Sequence, residues 1–343
     1  MITQNKRSGF VLVIAMFIIA IGTLIIARLI TQGIILIQTF AIERERKQAQ
    51  LLALSAMHFA AGELLGPSKK EEKEAPKQEA GQKKGEDQKK DEYPTRLLKA
   101  LNVKRTKKLT ENIDGINGTI EWTIVAQEGK IPLNSLLEPG KEAFKKEYSK
   151  IIDQIDEKGK TLFKDVSLKS TILSAYKKRK RPFDDVSDLY EGQDEKTTKE
   201  LKTRLFAIGD QVGLVDLFTA EVGSGLCPLL FTKAVDKLFD LTFDEKKLAQ
   251  QFEKKEYGEK IRALFGQDQI DWKSSWDQII APIKVKRYTE VSEPLKTTLS
   301  KQCSGKVIGV MCFGATDSVT QKLFVILERS TPDAFLVRKV VWL

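Results

Sequence analysis

Residues 10–27, FVLVIAMFIIAIGTLIIA, form an 18-residue run without a charge. At the α-helical rise such a run is about 27 Å long, close to the hydrocarbon thickness of a bilayer. Beyond Arg28 the apolar character resumes through Ile34–Ile37. The stretch can therefore lengthen to about 28 residues, enough to span with some tilt. Arg28 can snorkel or meet a partner group. No other segment of the sequence is as long without charge.

Working outward from this run, the C-terminal side stays helix-forming. Glu43, Arg44, Glu45, Arg46 and Lys47 lead into a stripe of small residues, Ala49, Ala53, Ala56 and Ala60. Their spacing places them on one helix face. That face suits either the close approach of a neighbouring helix or ordinary packing, and the sequence does not choose between them. No proline interrupts residues 10–61, so the expectation is one continuous helix over 10–65, a transmembrane half and a projecting half. A secretory signal peptide fits poorly, because its apolar region is about 7–15 residues long and ends in a small-x-small cleavage site.

On the N-terminal side, Lys6-Arg7-Ser8-Gly9 precedes Phe10. The basic leader favours the cytoplasmic side, which sends everything after the helix across the membrane. A short basic leader, a glycine and a phenylalanine opening a long apolar helix together resemble a prepilin. The resemblance implies cleavage by a prepilin peptidase between Gly9 and Phe10, with methylation of the new N-terminus, and Lys6 and Arg7 belong to the processing site. A glycine leaves the scissile bond free to extend into a membrane-embedded protease. Most pilins and pseudopilins carry glutamate five residues into the mature chain, and Ile14 stands there. Its absence resembles the minor pseudopilin of type II secretion called general secretion pathway protein K, which is placed at the filament tip. An unmatched charge in lipid is costly, so an apolar residue suits a subunit with nothing ahead of it.

Residues 66–93 hold eight Lys against eight Asp and Glu, with almost no large apolar side chain, and are expected to be a disordered linker. From 94 the chain reads as globular. Residues 96–101 look helical, Asp114-Gly115 and Asn117-Gly118 are turn signals, and 119–125 alternates as a strand. Gln127–Leu136 resembles the K family's "E-G-(K/R)-(I/F)-N-L-N-(S/T)" stretch, with Pro132 in place of an asparagine and Asn134 or Ser135 as candidate helix cap. Residues 141–282 are dominated by helical periodicity. Within them, 181–190 is similar to "P-F-x-S-V-x-E-L", and 213–220 resembles "G-x-(V/I)-N-(L/V)-N-T-A", with Asp216 and Phe218 replacing both asparagines. Runs at 306–313, 321–328 and 335–342, separated by turns at 314–317 and 330–333, read as an antiparallel meander pairing with 119–125.

The fold expected is thus α+β: a long N-terminal transmembrane, pilin-like helix, then a small antiparallel sheet head interrupted by a helical insert domain. Its parts are a leader (1–9), helix (10–65), linker (66–93), first part of the head (94–140), insert (141–282) and C-terminal sheet part (283–343).

Composition narrows the chemistry. The net charge is +10, and His58 is the sole histidine of 343 residues, which removes His-based triads and most metal shells. The dense run Lys177–Arg181 reads as a solvated helix end suiting the helix dipole, ahead of any lipid or nucleic-acid patch. Asp184-Asp185-x-x-Asp188 matches a magnesium–diphosphate pattern but lacks the second acidic motif such enzymes need. No cofactor is certain; calcium is the ion that the resemblance admits, with no ligands named. His58 reads as packing or solvent-facing, and Asn117-Gly118-Thr119 as a turn, not a glycosylation site. Cys227, Cys303 and Cys312 allow any one bridge or none.

The expectation is a non-enzymatic inner-membrane subunit, single-pass, its head in the periplasm. Its partners would be other minor pseudopilins, the major pseudopilin and prepilin peptidase, and no nucleic acid. The alternatives are a minor pilin of a type IV pilus and a signal-anchored periplasmic binding protein.

Overall fold

The computed structural model describes residues 5–66, 92–109, 117–138, 143–162, 167–179, 183, 188, 194–196, 198, 215–216, 226–241 and 243–342. The expected linker therefore lies outside the described residues, apart from its ends. Helix α1 runs from Asn5 to Leu65, 61 residues without a break, about 90 Å of rod. It begins inside the expected leader. It ends where Arg96 Nε donates to Leu64 O at 2.7 Å, satisfying one of the carbonyls that a helix terminus leaves open.

After α1 come α2 (Tyr93–Ala100), β1 (Lys104–Leu109) and β2 (Gly118–Ala126). Pro94 sits in the first turn of α2, where its missing N–H costs nothing. The short strands β3 (Ile131–Pro132) and β4 (Val215–Asp216) form a parallel pair. The chain returns through β5 (Val307–Ala315), β6 (Thr320–Thr331) and β7 (Ala334–Trp342). The main sheet has the order β1-β2-β5-β6-β7, and every neighbouring pair in it is antiparallel. β2 pairs with β5 across the whole insert, Trp122 opposite Cys312 and Ile124 opposite Val310. The fold is α+β, with the long helix on one face of a small antiparallel sheet.

The described part of 141–282 is mainly helical: Ser149–Leu162, Leu168–Arg179, Lys233–Leu238, Glu245–Phe252, Lys255–Phe265 and Trp272–Ser275. Several begin on side-chain caps, as where Asp244 accepts from Lys246 N and Lys247 N. Leu168–Arg179 closes on Lys177, Lys178 and Arg179, the arrangement that a helix dipole favours.

Two local differences from the sequence reading have clear causes. β1, KRTKKL, has no apolar alternation to announce it. It is an edge strand, where cations are tolerated and discourage further pairing. The turns between β5, β6 and β7 are tighter than expected, since Gly314, Ala315, Ser330 and Thr331 continue the strands.

The seat of α1 explains its small-residue stripe. Ala49, Ala53, Ala56 and Ala60 are fully buried, and α1 packs on β2, β5 and β6. A Cβ on Gly314 would lie 2.1 Å from Ala49 O and 2.4 Å from Ala53 N. The helix backbone therefore rests directly on the strand, and the stripe serves the protein's own sheet.

Candidate assembly surface

Lys6, Arg7, Gly9, Phe10 and Ile14 all fall within the first three turns of α1. The Gly9–Phe10 peptide lies inside a helix, so a protease that takes an extended strand must first unwind this end. Glycine lowers that cost by about 1 kcal/mol relative to alanine. Ile14 is part of the exposed apolar surface that continues through Ile42. α1 is long and apolar enough to cross a membrane. It fits a single-pass anchor carrying a head.

Three stretches that resemble the K family are widely separated in sequence and meet in space. Ile131 and Pro132 pair with Val215 and Asp216. Asn134 Nδ2 donates to Phe183 O at 2.9 Å, and Phe183 N donates back to Asn134 Oδ1 at 2.9 Å. Asn134 is thus a clamp on the backbone of the 181–190 stretch, where the sequence suggested a helix cap. Asp184 and Asp185 lie outside the described residues, while Asp188 is ion-paired with Arg179.

The Glu128-Gly129 pair ties the insert to the sheet. The buried Glu128 carboxylate accepts from Ser304 N at 2.8 Å, Gly305 N at 3.2 Å, Lys306 N at 3.2 Å and the Ser304 hydroxyl. Charge-assisted bonds of this kind are about twice as strong as neutral ones. Glu128 O also accepts from Cys227 N at 3.0 Å. Beside it, a Cβ on Gly129 would sit 1.7 Å from Leu230 O, so no other residue fits there. Cys227 and Cys303 close a disulfide over the same junction, with 5.5 Å between their Cα atoms, and Cys312 is free and buried. The sequence marked this stretch through its motif but could not point to its partners, which lie about 176 residues away.

Lys284, Asp236 and Cys312 are enclosed. Lys284 and Asp236 form a buried ion pair, with Lys284 Nζ also 5.3 Å and 5.2 Å from the Phe231 and Phe243 ring centroids. Burial pushes Lys284 down and Asp236 up, and their mutual attraction opposes both shifts. The geometry stitches helix Lys233–Leu238 to the loop at 284. Burial also raises the Cys312 thiol to about 12. His58 is exposed and borders an open hollow of 530 Å³ with Phe59, Gly62, Glu63, Arg105 and Trp122. Among the described residues, no group of three or more His, Cys, Asp or Glu side chains gathers as a metal site.

These features define a class: an α+β head seated on the far half of a long helix whose near half is apolar and uncovered. No protein-family model and no curated protein matches the chain. Among solved structures it is similar to a chain in the crystal structure of the GspK-GspI-GspJ complex from the type 2 secretion system of enterotoxigenic Escherichia coli. The identity is 15%, the TM-score 0.44, and the alignment covers 88% of this chain and 97% of that one.

Proposed function

We propose that this protein is a minor pseudopilin of a type II secretion system, of the general secretion pathway protein K kind, acting as a non-enzymatic subunit at the pseudopilus tip. The observation that carries the reading is Lys6-Arg7-Ser8-Gly9-Phe10 opening a helix that continues unbroken from an apolar half into a sheet-bearing head. In this reading the leader is cut after Gly9 at the cytoplasmic rim of the inner membrane, Phe10 is methylated, and the head lies in the periplasm. The apolar half then bundles with the helices of other minor pseudopilins and the major pseudopilin.

Ile14 supports placement at the tip, because a subunit with no neighbour ahead has no amine to neutralise and a lone carboxylate in lipid would be costly. The Cys227–Cys303 bridge supports an oxidising compartment. An architectural role is also supported by the placement of groups that usually do chemistry: the lone histidine faces solvent, and the buried Lys284 is occupied by Asp236. Mass spectrometry of the mature N-terminus tests the proposal. The expected chain starts at N-methylated Phe10; retention of Met1 would overturn it and favour a plain signal anchor. Deletion should abolish export of secreted proteins; extracellular fibres lost with export intact would mark a type IV minor pilin instead.

A further inference from the structure

The sheet has room on its α1 face for more than α1. β5 is the central strand, and α1 seats over β2, β5 and β6. Strands are about 4.8 Å apart, so β7 lies about 9.6 Å from β5. That distance falls within the 8–10 Å axis separation of packed helices. A second helix over β7 would touch the strand and α1 together.

The exposed side chains of β7 suit such a helix. In the register Leu323↔Trp342, Val325↔Val340 and Leu327↔Val337, the β6 partners are buried core residues, so Val337, Val340 and Trp342 project from the face that α1 covers. They are 50%, 43% and 44% exposed. The strip from 337 to 342 spans about 16 Å, the length of three helical turns. The opposite flank presents cations instead of an apolar strip. There β1 turns Arg105 and Lys107 to the α1 face, where Arg105 pairs with Glu63 at 3.1 Å and Lys107 Nζ sits 4.2 Å over the Phe59 ring.

Direction adds the occupant. Ser318, in the turn between β5 and β6, bonds to Glu45, which puts the Trp342 end of the strip toward the apolar half of α1. A rod lying on β7 parallel to α1 would continue down along the exposed surface of residues 12–42 and cover both. A strand added to the edge of β7 would leave these three side chains uncovered, since they point out of the sheet plane.

We propose that the β7 strip beside α1 is the seat of a second helix, the projecting part of the N-terminal rod of a different prepilin-type subunit. The inference rests on the pseudopilin reading and adds to it the surface and the side of α1 on which a sibling sits.

The test is a photo-crosslinking residue at Val340, repeated at Val337, with Lys107 as the contrast, in the full chain in its own cells. Position 340 is already half exposed, and closure of the Cys227–Cys303 bridge reports folding of each variant. Adducts from 340 and 337 should map to the residues just after the apolar run of another prepilin-type protein, with none from 107. Adducts with lipid, with a second copy of this chain, with a strand or loop, or equally from 107 would overturn the seat. So would no adduct at all. N-terminal analysis of the same sample separates the two ideas: methylated Phe10 without a helix adduct removes only the seat, whereas retained Met1 removes the parent reading.

Discussion

Opening the Cys227–Cys303 bridge should loosen the joint between insert and sheet by a calculable amount. The bridge closes a loop of 76 residues, and the chain-entropy relation then assigns it about 4.5 kcal/mol at 25 °C. Replacing both residues, Cys227→Ser with Cys303→Ser, removes that constraint without exposing the protein to reductant. With a urea slope of about 3 kcal/mol/M, the unfolding midpoint should fall by about 1.5 M. The assay is tryptophan fluorescence of the full chain in detergent micelles, read through Trp122, Trp272 and Trp276, which lie in the core. Thiol counting provides the cross-check. The native protein should show no reactive thiol, because Cys312 is buried and its thiol is pushed up to about 12; the denatured, unreduced chain should show one. Equal midpoints for the two proteins, or three thiols on denaturation without reductant, would refute the reasoning.

Removing one member of the Lys284–Asp236 pair strands the other in the core. Lys284→Met should therefore lower stability by about 3–5 kcal/mol, and adding Asp236→Leu should restore most of the loss, as read by thermal melts. A double variant no better than the single one would show that the two charges do not act as a unit. Alkaline pH provides a further test. Burial raises the Cys312 thiol from 9.0 to about 12 and also raises the Tyr257 hydroxyl above its usual range. The folded state thus keeps protons that the unfolded chain gives up. That stabilisation is whole below pH 9.0 and is lost as pH climbs toward the folded values. Urea midpoints taken at rising pH should fall, and Cys312→Ala should flatten the first part of the decline.

The parts of the fold that rest on local pattern were legible in the sequence. The uncharged run at 10–27 announced α1, and the apolar, β-branched runs announced β2, β5, β6 and β7, because burial on one face leaves a period in the residues themselves. β1 was hidden, since a cationic edge strand with only Leu109 turned to the core leaves no apolar period. The alanine stripe showed that something comes close to α1 but not what. Small side chains permit approach by any backbone, and only the glycine opposite, Gly314, reveals that it is the sheet. Glu128 and the cysteine pairing stayed illegible for another reason: their partners are fixed by how the insert folds back, and no spacing encodes that. Lys6, Arg7, Gly9 and Phe10 have the reverse status, plain as a motif in the sequence while the structure places them only within the first turns of α1.

An uninterrupted α1 also has a mechanical consequence. With no proline and no break between the lipid-ready half and the half clamped on the sheet, the head has no wrist. From residue 42 to 65 the lever is about 35 Å long, so a change of about 10° in the inclination of its foot, well within what spanning helices adopt, sweeps the far end through about 6 Å. Whatever grips the foot therefore steers the head, and a thrust from below arrives at the top undiminished.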